Sequence, residues 1–239
     1  MKRFWKTADT AETEPGAWSV VLDSRPVRVP GGAPLRLDRH ELAAAIAAEW
    51  QRAGGDLGGE MTYRDVPLTR LAGTAQERIA PDPEPVVLEL TRYGESDLLC
   101  YRAACPEALV ERQRAAWQPW LDWAAEKLGA RLRVTEGVMH VAQDPAALAA
   151  LAQAVALQDP LGLAGLGVLV PALGSLVLGL AVASFELSPE DAYARASVDE
   201  AFQVELWGED ADAAARRRQI REEVLLAGSF LRLARGTPV

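Results

Sequence analysis

The sequence predicts an α+β protein, with a small N-terminal α/β domain of a hairpin and two helices over residues 1–81 and a larger all-α domain over residues 82–239. Three observations predict it. Residues Ala17 to Leu22 alternate and are rich in β-branched side chains, as a strand with one buried face requires. Beyond Pro81, Pro83 and Pro85 helical periodicity takes over. From Pro160 to Phe185 the chain carries no charged residue, a run that the core of a sizeable helical domain can cover.

The elements follow in order. After Leu22, Asp23 and Ser24 offer a turn and Pro26 to Val29 extend again, which completes a hairpin that Pro30, Gly31 and Gly32 end. The first helix is marked by Asp38 as N-cap, Glu41 three residues later and Leu37 placed to staple against Leu42. Leu42, Ile46 and Trp50 share one stripe, so Trp50 is assigned to the fold. Gly54, Gly55, Gly58 and Gly59 predict a mobile loop before a short extended piece near Met61 to Tyr63, and Pro67 opens a second helix through Leu68, Leu71 and Ala75.

In the second part the longest helix begins with Pro106 as its first residue and presents Val110, Gln113, Trp117, Trp120, Leu121, Ala124 and Leu128 at spacings of three and four until Gly129 stops it. Leu132 to Val134 is read as a short strand. Asp144-Pro145, Asp159-Pro160 and Ser188-Pro189 each pair a capping residue with proline at the first helical position, so three helices start there. A last helix spans Glu209 to Leu233, with acids in its first turn, where the dipole favours them.

The uncharged run is long enough to cross a bilayer, which takes roughly 20 apolar residues. Pro171 interrupts it, five glycines weaken it, and acids rather than arginines, tryptophans or tyrosines flank it. Two short helices buried in protein are expected, without stable membrane insertion.

A net charge of -9 excludes a nucleic-acid binder, which needs a basic stripe to release counterions. Cys100 and Cys105 make no disulfide framework and point to a reducing compartment, and no apolar segment follows the basic N-terminus. The cytoplasm is the expected location. At 239 residues the chain buries enough surface to fold without metal or cofactor, and neither is expected.

The search for chemistry returns little. His40 lies in the first turn of a helix and reads as a surface residue; His140 lies in a loop. Two cysteines are too few for a structural zinc site and read as buried or inert thiols. The loop Gly54 to Gly59 lacks the Gly-Lys-Ser/Thr ending of a phosphate loop, and Gly162, Gly165 and Gly167 follow a helix start where a dinucleotide motif requires a strand, so close helix packing explains them. Neither a Gly-x-Ser-x-Gly elbow nor a His-Glu-x-x-His helix occurs.

The segment from Ser188 to Trp207 reads as one acidic helix, with Ala194, Val198, Ala201 and Phe202 on one face and Glu205 among them. Asp199 and Gln203 point elsewhere, and Glu200 lies near Trp207. A carboxylate in an apolar face must be paired. Glu205 is therefore either in an internal salt bridge with a nearby arginine or held for a basic group of a partner.

Six blocks carry a resemblance: Leu22 to Arg28, Ala48-Glu49-Trp50, Pro67 to Ala72, Arg92 to Arg102, Leu173 to Leu178 and Val198 to Gly208. They resemble the ATP-synthase assembly chaperones of the ATP-twelve family in alphaproteobacterial form, with Ser24 where glycine is common and Gly73 where asparagine is common. The resemblance implies a protein without catalysis. It implies that the chain binds the free α subunit of the ATP synthase catalytic sector and prevents its aggregation until the β subunit replaces it. It places the contact residues in the acidic block, at Asp199, Glu200, Gln203, Glu205 and Trp207, with Glu200 and Glu205 favoured; for Trp207, core packing is favoured over a role as an anchor. Two other readings stand beside it: an enzyme acting on a small cationic substrate through acids of the helical domain, and a peripheral membrane factor using the uncharged run.

Overall fold

The computed structural model describes residues 1–236. They form two compact units: Met1–Pro83 with Pro160–Gly165 and the chain from Ser229 onward, and Glu84–Asp159 with Leu166–Gly228.

In the first unit, strands β1 (Ala8–Glu14), β2 (Ala17–Leu22) and β3 (Arg25–Pro26) form an antiparallel sheet in that order. Asp23 and Ser24 at the tight β2–β3 turn adopt φ of 46° and 70°, the left-handed pair that matches the twist of a two-residue hairpin. The Asp23 carboxylate accepts the backbone N–H of Lys6 at 3.0 Å and of Thr7 at 2.9 Å, which ties the incoming chain to the turn. Those backbone donors hold its carboxyl below the usual range. Strand β1 escaped the sequence reading because Ala8 to Glu14 has no apolar alternation; its place is set by pairing Thr10 with Val20 and Ala11 with Ser19.

Helix α1 (His40–Arg52) buries Leu42, Ile46 and Trp50 as expected. Its N-cap is Arg39, without a side-chain cap, so the expectation of Asp38 is corrected; Asp38 pairs with Arg39 at 3.3 Å instead. At the other end the buried Arg3 guanidinium donates to the carbonyls of Gln51 at 2.8 Å, of Ala53 at 3.5 Å and of Gly55. A cation at a helix C-terminus satisfies carbonyls that have no partner within the helix. The glycine loop expected to be mobile is folded around this arginine, with the Gly58 N–H donating to the Arg3 carbonyl at 2.8 Å.

Helix α2 (Pro67–Thr74) continues through a wider turn at residues 75–79. Its first N–H groups are met by Glu49, which is only 6% exposed: Leu68 N donates to Oε1 at 2.7 Å and Thr69 N to Oε2 at 3.1 Å. The Thr69 hydroxyl donates to the same carboxylate at 3.3 Å and accepts the Trp50 indole N–H at 2.9 Å. Burial pushes the Glu49 carboxyl up, against the pull of those donors.

The second unit contains helix α3 (Glu84–Thr91), two 3-10 turns at residues 92–96 and 98–100, strand β4 (Tyr101–Arg102), and α4 (Glu107–Trp123) with a wider turn at 124–128. Gly129 stops α4 at φ 74°, and Pro106 caps it from outside rather than opening it as the first residue. Strand β5 (Thr135–Glu136) pairs in parallel with β4, so the strand expected at Leu132 to Val134 lies just beyond that stretch. Helices α5 (Pro145–Ala156), α6 (Pro160–Leu173), α7 (Leu176–Ala183), α8 (Pro189–Ala196), α9 (Val198–Trp207) and α10 (Ala211–Arg235) follow. All three proline starts are present. Asp144 accepts Ala146 N at 2.8 Å and Ser188 accepts Asp191 N at 3.0 Å.

The uncharged run forms two helices, and every residue of α7 is buried. The break is not at Pro171, which lies inside α6; it is at Gly174, where φ is 61°, followed by Ser175, whose hydroxyl caps Leu178 N at 3.1 Å. A Cβ at Gly179 would sit 2.7 Å from Val170 Cγ2, so the close approach of the two helices requires glycine there. Among the described residues no helix is long and apolar enough to cross a membrane.

Asp97 holds this hairpin by its start. It is 0% exposed and accepts Val177 N at 3.0 Å and Leu99 N at 3.1 Å, while Leu98 N donates to the Gly174 carbonyl at 3.1 Å. Burial pushes the Asp97 carboxyl up, and the donors from Val177 and Leu99 oppose that push. Replacing Asp97 by alanine strands these buried N–H groups, each worth about 1–3 kcal/mol. Asp97→Ala is therefore expected to lower the unfolding free energy in urea by about 3 kcal/mol; an unchanged midpoint would contradict this account. The thiols divide similarly. Cys100 is fully buried and its thiol is pushed up to about 12, chiefly by burial and then by Asp97, whereas Cys105 is exposed. Mass spectrometry after a brief alkylation of the native protein should find label on Cys105 alone, and rapid labelling of Cys100 would refute the packing around Asp97.

Candidate partner-binding surface

The acidic block predicted as one helix is two. Ser197, at φ -102° and ψ 20°, breaks it between α8 and α9, and Gly208 ends α9 at φ 84°. The break separates Ala194 from the register of Phe202, so the apolar face expected to unite them does not form; Ala194 and Ala201 are exposed and Phe202 is buried.

Helix α9 is held against α4 by three contacts. The Gln113 side chain, 2% exposed, donates to Asp199 Oδ1 at 2.7 Å and accepts Ala103 N at 2.7 Å. Arg112 grips both oxygens of Glu205 at 2.7 Å, and its guanidinium lies over the Phe202 ring at 5.2 Å. The hydrogen bond from Arg112 holds the Glu205 carboxyl below its usual range. Glu205 is thus paired inside the chain, as one reading required, but by an arginine 93 residues away rather than by one near it in sequence.

The remaining block residues face outward. Glu200, Gln203 and Trp207 lie three, four and seven positions apart on the side of α9 opposite Phe202, and all three are exposed. Among the described residues their side chains form no hydrogen bond or ion pair. Trp207, for which core packing was favoured, is 77% exposed, and Leu206 beside it is 56% exposed. An indole left in solvent at a helix end, next to an unpaired carboxylate, has the composition of a hot spot rather than of a core. Sequence reasoning missed Arg112, Gln113 and Leu206; the first two carry no local signal, because their partners lie in another helix.

Two other acids nearby are occupied. Glu209 pairs with Arg217 at 2.6 Å, and Asp210 accepts Ala213 N at 2.8 Å at the start of α10. The remaining residues weighed for chemistry are accounted for locally. His40 packs against Trp18 with ring centroids 4.3 Å apart, and His140 Nδ1 lies 3.2 Å from the Tyr101 hydroxyl. A Cβ at Gly165 would meet the Leu231 side chain at 2.5 Å, the close helix packing expected of that glycine, whereas Gly167 is open. Among the described residues no three His, Cys, Asp or Glu side chains are grouped as a metal site would need.

Comparison with known proteins places this geometry. Residues 2–125 match the family described as ATP12 chaperone protein. Atp12 from Paracoccus denitrificans is 43% identical, with a TM-score of 0.90 over 98% of each chain. A variant of that Paracoccus protein with one aspartate replaced by lysine also superposes with a TM-score of 0.90. A chaperone candidate from Agrobacterium tumefaciens is 38% identical, with a TM-score of 0.88 over 99% of this chain and 86% of its own. The match in family, fold and near-complete length shows that this chain belongs to the ATP12 family of chaperones.

Proposed function

We propose that this chain is an assembly chaperone for the catalytic sector of ATP synthase, binding the unassembled α subunit and keeping it from aggregating until the β subunit takes its place. It acts without catalysis, cofactor or metal, in the bacterial cytoplasm. The observation that carries the reading is the outer face of α9, where Glu200, Gln203 and Trp207 stand exposed, their side chains without partners among the described residues, in a chaperone of this family.

A subunit awaiting its hexamer exposes apolar surface that invites wrong association, and a temporary partner can cover it. To be displaced later the partner must bind reversibly. Within the block of Asp199, Glu200, Gln203, Glu205 and Trp207, the exposed indole supplies the anchor and the outward carboxylate of Glu200 supplies steering and selectivity, which set the encounter rate more than the final affinity. The net charge of -9 agrees with a basic complementary surface on the client.

Isolated α subunit held at a temperature where it aggregates is expected to stay in solution when this protein is added in equimolar amount, without nucleotide. Undiminished light scattering across a range of salt concentrations would end the proposal. Trp207→Ala should weaken binding by about 2 kcal/mol, the size of a hot-spot truncation. Glu200→Lys should reduce affinity about tenfold, mostly through slower association that becomes less salt-dependent. Both variants should melt at the parent temperature, since neither side chain touches the fold; a large fall in melting temperature would reassign that residue to structure.

A further inference from the structure

The two engaged acids of the block, Asp199 and Glu205, are spent on the fold, and their partners sit side by side on one turn of α4. Resting on the proposed client binding, we infer that Arg112 and Gln113 are positioning residues for it: they set the rotation of α9 so that Glu200, Gln203 and Trp207 meet the client, while Asp199 and Glu205 act through them and do not touch it.

The geometry supplies three anchor points. Phe202 is buried at the centre of the inner face of α9, under the Arg112 guanidinium at 5.2 Å. Asp199 stands three residues before it and Glu205 three after, so the two acids flank Phe202 along the helix, each gripped by a neighbouring residue of α4. A helix pinned at one point can roll. Pinned at three points across its inner half it cannot, and the residues opposite are carried outward.

The need for such pins follows from the rest of α9. It has ten residues, a single strongly buried side chain, no side-chain cap at its start, and glycine in positive φ at its end. A helix this short is marginal by itself, so tertiary contacts decide its orientation. Gln113 also links α9 to the chain before α4, because the same amide that donates to Asp199 accepts Ala103 N. The fork between Arg112 and Glu205 is geometrically exacting, since both guanidinium nitrogens meet both carboxylate oxygens at 2.7 Å. Lysine cannot reproduce it.

A charge exchange separates positioning from direct contact. Arg112→Glu and Glu205→Arg each place like charges opposite one another and should weaken binding to isolated α subunit about tenfold. The double variant restores an opposed pair of the same net charge and should recover affinity to within about threefold of the parent. A merely structural loss is excluded by the melts: both single variants should melt close to the parent, because the pair is exposed, with side chains 46% and 56% accessible. If a single variant unfolds, the milder pair Arg112→Ala and Glu205→Gln takes its place, and positioning then requires that the double lose no more affinity than either single.

The outcomes are distinct. Recovery in the exchanged protein supports positioning. Binding by the exchanged protein no better than by Glu205→Arg alone means that Glu205 meets the client itself, and the inference is overturned. A parent chain that does not bind α subunit at all removes the proposed function instead, before any variant is compared.

Discussion

A buried carboxylate across the N-terminus of a helix is the constraint on which each unit rests. Glu49 closes α2 in the first unit, and Asp97 closes α7 in the second. The first turn of a helix leaves N–H groups without partners, and where that turn is buried, water cannot serve them. A charged acceptor does so at the cost of its own desolvation, visible in the upward push on both carboxyls. Removing one partner leaves the other stranded, so the two halves of each contact must be kept together.

This pairing gives a physical meaning to the blocks by which the family is recognised. Ala48-Glu49-Trp50 and Pro67 to Ala72 are two sides of one contact, because Glu49 and Trp50 both engage Thr69. Arg92 to Arg102 and Leu173 to Leu178 are two sides of another, through Asp97 with Val177 and Leu98 with Gly174. These blocks are the framework. The last block differs, since only its inner half is committed to the fold and the side chains of its outer half have no partners among the described residues. On the proposed reading, the grip on the client lies where packing stops making demands.

Much of this was legible from sequence because it is encoded locally. An acid or serine before proline announces a helix whatever lies elsewhere, and the starts at Pro145, Pro160 and Pro189 are where those pairs stand. The turn at Asp23 and Ser24, the stop at Gly129 and the burial of Trp50 are local in the same sense. What escaped is encoded at a distance. Strand β1 is made of alanine, threonine and acids and owes its existence to β2. The break in the uncharged run depends on a positive φ at Gly174 rather than on Pro171, which a buried helix accommodates. In the acidic block a helical wheel assumes one continuous helix; the kink at Ser197 took Ala194 out of the register of Phe202, and Trp207 stands in solvent at the end of α9.

The measurement closest to the central claim is amide hydrogen exchange of this protein, alone and bound to isolated ATP synthase α subunit. Exchange in α9 and across Gly208 into the start of α10 should slow on binding, while the already protected amides of Leu99 and Val177 should not change. Binding that leaves α9 exchanging at its free rate and protects another surface would contradict the assignment of the grip to that helix.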